Sequence, residues 1–73
     1  MKKSIIKANK LLLQTGNFEP SQLQLSSDRL CIIAPSHYMN ENDIETILAV
    51  SKLCKLLLIL TYDEEFKFSL ICY

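Results

Sequence analysis

Cys31 and His37, both within the stretch CIIAPSHYMNEND, pair a thiol with the chain's one histidine only six positions apart. In an enzyme such a pair makes a nucleophile and its base: the imidazole takes the thiol proton and the thiolate attacks. That chemistry also needs a group to orient the ring, donors for the developing oxyanion and a substrate cleft. The sequence signals none of the three. Cys31 sits inside the apolar run Leu30 to Ala34, where a small buried thiol is the ordinary outcome. The expectation is therefore no catalytic residue and a chain that is not an enzyme.

Adding Cys54 and Cys72 to Cys31 and His37 completes the four ligands that zinc favours. Structural zinc sites draw them from close pairs two to four residues apart, because one turn then aims two side chains at the metal. Here the gaps are 5, 16 and 17 residues, so neither metal nor cofactor is expected. Three cysteines in so short a chain also fit poorly with a secreted disulfide scaffold, and point to a reducing cytoplasm.

Charge offers two further candidates. Lys3, Lys7 and Lys10 share one side of a helical projection, and such a stripe can meet phosphates. Base readout or stacking would call on arginine and on interleaved aromatics, but Arg29 is the only arginine and no aromatic lies among these lysines. A membrane-lying helix would want Trp or Phe on its apolar side, and this one has neither. The acidic counterparts are Glu41, Asp43 and Glu45 and the run Asp63, Glu64, Glu65. Formal net charge is zero, so the expectation is a dipolar molecule, basic toward its N-terminal end, with no long-range field of one sign. His37 and Tyr38 fall between a strand and a helix start, where small folds often present recognition residues.

The elements that carry these residues follow from periodicity. Residues 3–15 predict a helix with Ile5, Ile6, Ala8, Leu12 and Leu13 on one side, stopped by Gly16. Leu23 and Leu25 alternate with polar residues, and Ser27-Asp28 supplies a turn before a second strand, Leu30 to Ala34, which Pro35 ends. Asn40 to Asn42 can cap a helix and Asn42 and Glu45 stand in capping-box spacing, so a second helix is expected to begin near Asp43, to turn Ile44, Ile47, Leu48, Val50, Ser51 and Cys54 inward, and to include Lys55 in its last turn. Leu56 to Leu60 is apolar at every position, which predicts a central strand covered on both faces. Tyr62 to Glu65 predicts a turn, and Phe66, Phe68, Leu70 and Cys72 alternate with Lys67, Ser69, Ile71 and Tyr73 in a last strand. Leu23, Leu25 and Asp28 recur 35 residues later as Leu58, Leu60 and Asp63, a faint sign of a duplicated helix-strand-strand unit.

The fold class this implies is α+β, a single small domain of order α-β-β-α-β-β with one four-stranded sheet and two helices. A chain of 73 residues buries only about 60% of its unfolded surface, so self-association is a natural addition to its stability. Ile71 and Tyr73 put apolar groups on the sheet face opposite Phe66, Phe68 and Leu70; together with Leu56 to Leu60 this is more apolar sheet than two helices easily cover, and a homo-oligomer, with a dimer favoured, is expected. The longest apolar run is far short of the roughly 20 residues that cross a bilayer, and Lys7, Asn9 and Lys10 interrupt any signal-peptide core, so the N-terminus is expected to be retained. The functional expectation is a small cytoplasmic protein-interaction or regulatory module. Short, motif-free inhibitors encoded by phages and mobile elements, anti-CRISPR proteins among them, have this character. In that setting the acidic knots Glu41, Asp43, Glu45 and Asp63 to Glu65 would imitate nucleic-acid phosphates toward a basic target. The alternative is a nucleic-acid-binding regulator using Lys3, Lys7 and Lys10.

Overall fold

Apolar residues at helical spacing wind the first segment into helix α1 (Lys3–Gln14), whose buried line is Ile5, Ala8 and Leu12. This is a computed structural model that describes residues 2–34 and 40–73. Ile6 and Leu13, expected on the same side, are exposed, because each lies a full 100° step around the helix from the buried line. At its end Thr15 Oγ1 donates to the Leu12 carbonyl at 2.7 Å, and Gly16 takes the left-handed conformation at φ +76°, which a side chain would resist. Buried Phe18 then anchors the connection, and a 3-10 turn (Pro20–Gln22) follows. Gln22 ties that turn down twice: its Oε1 accepts from the Glu19 N–H at 2.8 Å and its Nε2 donates to the Ile33 carbonyl at 3.0 Å.

Strands β1 (Leu23–Leu25) and β2 (Arg29–Ala34) form the expected hairpin, with Leu23 opposite Ile32 and Leu25 opposite Leu30. Helix α2 (Glu41–Leu53) begins two residues before the expected start. Of the candidates Asn40 to Asn42 the cap is Asn40: its side-chain oxygen accepts the Asn42 N–H at 2.8 Å, and Glu41 and Asp43 then lie in the positive first turn. Ile47, Val50, Ser51 and Cys54 turn inward, while Ile44 and Leu48, expected beside them, are exposed. Ser51 is the one polar side chain among the buried residues described, and its hydroxyl donates to the Leu48 carbonyl at 2.7 Å. Lys55 is not helical. It stands at φ +56°, with its N–H donating to Lys52 and the Leu56 N–H reaching back to Ser51 at 2.8 Å, the paired bonds of a helix stop that usually employs glycine.

The last two strands are β3 (Leu57–Asp63) and β4 (Glu65–Ile71), joined at Glu64 alone, which adopts φ +69°. The expected turn over Tyr62 to Glu65 is thus largely strand, and Tyr62 packs against Phe66 across it with ring centroids 4.7 Å apart and planes tilted by 54°. Sheet order is β1-β2-β4-β3, antiparallel throughout. This corrects the expected position of the apolar run: β3 is an edge strand, and the centre is held by alternating β4. Alternation is what the centre requires here, because among the described residues only one face of the sheet is covered by helices. Ile5, Ala8 and Leu12 of α1 and Ile47, Val50 and Cys54 of α2 all join one core with Leu23, Leu30, Ile32, Phe68 and Leu70. The path from β2 through α2 to β3 passes over β4, a split strand-helix-strand crossover. Pro35, expected to end β2, lies outside the described residues.

Leu70→Ala is expected to lower unfolding free energy by about 2–5 kcal/mol in urea titrations, since Leu70 is fully buried between Leu30 and Leu58. Lys55→Gly is expected to act in the opposite sense, raising stability by roughly 0.5–1 kcal/mol, because glycine adopts the left-handed backbone without the steric cost.

Candidate interaction surface

Cross-strand register assigns every strand residue to a face, since side chains directly opposite in an antiparallel ladder point the same way. The rows Leu25–Leu30–Leu70–Leu58 and Leu23–Ile32–Phe68–Leu60 face the helices. The rows Arg29–Ile71–Leu57, Gln24–Cys31–Ser69–Ile59 and Ile33–Lys67–Thr61 face the other way, where neither helix packs. On this open face Leu57 and Ile59 lie along the edge strand β3 and Ile71 beside Leu57 on β4, one apolar patch, while Ser69 separates Cys31 from Ile59 and Lys67 separates Ile33 from Thr61. Grouped apolar side chains bordered by Arg29, Ser69 and Lys67 are the layout of an interface rather than of a solvated sheet.

The edge strand β3 adds to this surface. Leu57, Ile59, Leu60 and Tyr62 are 47%, 41%, 54% and 55% exposed, and they divide between the two faces. No charge, proline or bulge interrupts Leu57 to Tyr62, so β3 lacks the usual devices that blunt a sheet edge. The other edge, β1, is only three residues long.

The sequence-predicted site residues are distributed as follows. Lys3, Lys7 and Lys10 are exposed on α1, in the helix layer and remote from the open face. Glu64 is exposed at the β3–β4 turn, and Glu65 is half-buried at the start of β4. Ile71 lies on the open face directly opposite Leu57, and Tyr73 is 90% exposed beyond β4. His37 and Tyr38 lie outside the described residues. Ile71 and the lysines therefore belong to different surfaces, and Ile71 belongs with Leu57, Ile59, Cys31 and Ile33. Those partners escape sequence reasoning because an unbroken apolar run reads as buried. The run carries the signal, and only strand order shows that it is an edge.

The cysteines are held apart by the sheet itself. Cys31 is half-buried on the open face, Cys54 is buried in the core under α2, and Cys72 packs against the core on the helix side, with its sulfur 3.3 Å from the Ser4 hydroxyl. Among the described residues no three His, Cys, Asp or Glu side chains gather around a common point that could hold a metal. Burial pushes the Cys54 thiol above its ordinary range, partly opposed by the Lys7 ammonium.

Topology also sorts charge into two poles. The Lys2 N–H donates to the Ser27 carbonyl at 3.2 Å, placing the start of α1 at the end of the sheet where Arg29, Ile71 and Leu57 align. The end of α2, with Lys52 and Lys55, leads into Leu57 at that same end. Lys2, Lys3, Arg29, Lys52 and Lys55 thus form a basic pole, with Asp28 the acid among them. At the other end Ala34 is level with Phe66 and Tyr62, beside the acidic turn, and there Glu19 and the start of α2 with Glu41, Asp43 and Glu45 also lie. Charge is thus graded along the strands, with Lys67, level with Ile33 and Thr61, the strand-borne base nearest the acidic end.

No family model, curated protein or solved structure matches this chain. Among the described residues no helix is long and apolar enough to cross a membrane.

Thiol alkylation followed by peptide mass spectrometry is expected to label Cys31 first and Cys54 last, with Cys54 reacting only at the rate of unfolding. The raised Cys54 value means that the folded state holds this proton more tightly than the unfolded chain does. Its contribution to stability is complete below the unfolded thiol value of about 8.5 and is lost as pH rises above it. Denaturant midpoints are expected to fall between about pH 8 and 10, and Cys54→Ala to flatten part of that decline.

Proposed function

We propose that this chain is a small non-enzymatic binding module that works by docking a protein partner on its open sheet face, and that it self-associates. The observation that supports the reading best is the apolar patch Leu57, Ile59 and Ile71 on that face, bordered by Arg29, Ser69 and Lys67. A sheet face left bare in a chain this small removes burial that the fold could use, which is the pattern expected when a partner supplies the cover. A cytoplasmic regulator or inhibitor, such as those encoded by phages and mobile elements, is the functional class that suits a short chain built around one such surface.

A second reading has its own observation. Lys2 and Lys3 lie at the start of α1, where the helix dipole already carries partial positive charge and no acid stands in the first turn. Charges placed against the dipole cost stability, and a phosphate-bearing partner would offset that cost. In this reading Lys3, Lys7 and Lys10 form a phosphate-facing stripe of a nucleic-acid-binding regulator.

Recovery of bound material by the tagged protein from native lysate, with and without nuclease, separates the two. The expected result is a stoichiometric protein that survives nuclease, is lost with Ile71→Lys and is retained by the triple variant Lys3→Gln, Lys7→Gln, Lys10→Gln. Nucleic acid recovered instead, with affinity falling steeply as salt rises, would replace the first reading by the second. Glu64→Lys with Glu65→Lys tests phosphate mimicry separately: partner binding that survives both changes removes it.

A further inference from the structure

The edge strand β3 has β4 on one side and no described strand on the other, so half of its backbone donors and acceptors face outward along seven residues. We propose that this edge pairs antiparallel with β3 of a second copy, about a two-fold axis through Ile59, joining two four-stranded sheets into one continuous sheet. The proposal rests on the self-association in the reading above and names its surface.

Three observations select a second copy as the occupant. The first is that the edge is apolar on both faces, with Leu60 and Tyr62 exposed on the helix side and Leu57 and Ile59 on the open side. An added strand must therefore be apolar on both faces too, and β3 itself meets that demand. The second is charge. Antiparallel pairing sets the basic pole of one copy, with Lys52 and Lys55, beside the acidic pole of the other, with Glu41 and Glu64; parallel pairing would set like against like. The third is register. Side chains keep to their faces only if paired residue numbers sum to an even value. Centring on Ile59 sets Ile59 against Ile59, Leu58 against Leu60 and Leu57 against Thr61. Centring on Leu60 instead sets Leu57 against Asp63, an apolar residue against an acid. Centring on Leu58 runs the pairing into Lys55 and shortens it.

A two-fold perpendicular to the sheet keeps both open faces on one side. The dimer therefore presents a doubled, symmetric docking surface, with both helix layers behind it.

Sedimentation equilibrium and light scattering across micromolar to millimolar protein test the pairing. Wild type is expected to be dimeric, and Ile59→Lys and Ile59→Glu each to be monomeric with native circular dichroism, the dissociation constant rising roughly a hundredfold as like charges meet at the axis. Mixing the two variants is expected to restore the dimer, because the introduced ammonium then faces the introduced carboxylate only if position 59 meets its own copy. A monomeric wild type, a dimer indifferent to either variant, or a mixture that stays monomeric overturns the proposal. Each of these failures leaves the partner reading to its own test, since Ile71→Lys is expected to lose the captured protein while remaining dimeric.

Discussion

The placement of β4 between β2 and β3 is the contact on which the rest of the molecule depends. Leu70 and Phe68 sit at the centre of two apolar rows that run across β2, β4 and β3, and both helices settle on those rows. Remove that pairing and β2 retains only the three-residue β1 as a neighbour, while β3 has none among the described strands. The helix that joins β2 to β3 passes over β4, so the same pairing closes the longest connection in the fold. It also decides which side of every strand is buried, and with that which apolar residues are left uncovered.

Electrostatics follows from this topology. The two helices run in opposite directions over the sheet, and the chain places acids at the start of α2 and lysines at the start of α1. The first arrangement agrees with the helix dipole and the second opposes it. Because α1 begins where α2 ends, both arrangements put positive charge at one end of the sheet and negative charge at the other. A molecule of zero net charge thereby gains a field with direction along its strands, suited to orienting a partner at short range.

Much of this is legible in the sequence: both helices, both hairpins, the α+β class, the exposed lysine stripe and the inward residues of the last strand, all from periodicity and turn residues. The differences share a cause. Ile6, Leu13, Ile44 and Leu48 read as inward because apolar character suggests burial, and Leu56 to Leu60 reads as central on the same grounds. Periodicity reports which residues share a face, but how wide a strip the neighbouring layer covers is settled by tertiary packing. Strand order is likewise a non-local property, and no residue in β3 states who its neighbours are. The helix start differs because Asn40 and Asn42 compete for one capping role, and only backbone geometry separates them.

The sheet order has a temporal consequence. Chains are made from the N-terminus, so β2 emerges with only β1 to pair with, and β3 emerges before the one strand of its own chain that can hold it. Until β4 follows, an unbroken hydrophobic segment waits with both of its hydrogen-bonding edges empty. The residues that give the finished protein its sticky border are thus also the ones most exposed to misassociation during synthesis, and the tight one-residue reversal at Glu64 shortens that interval by delivering β4 immediately.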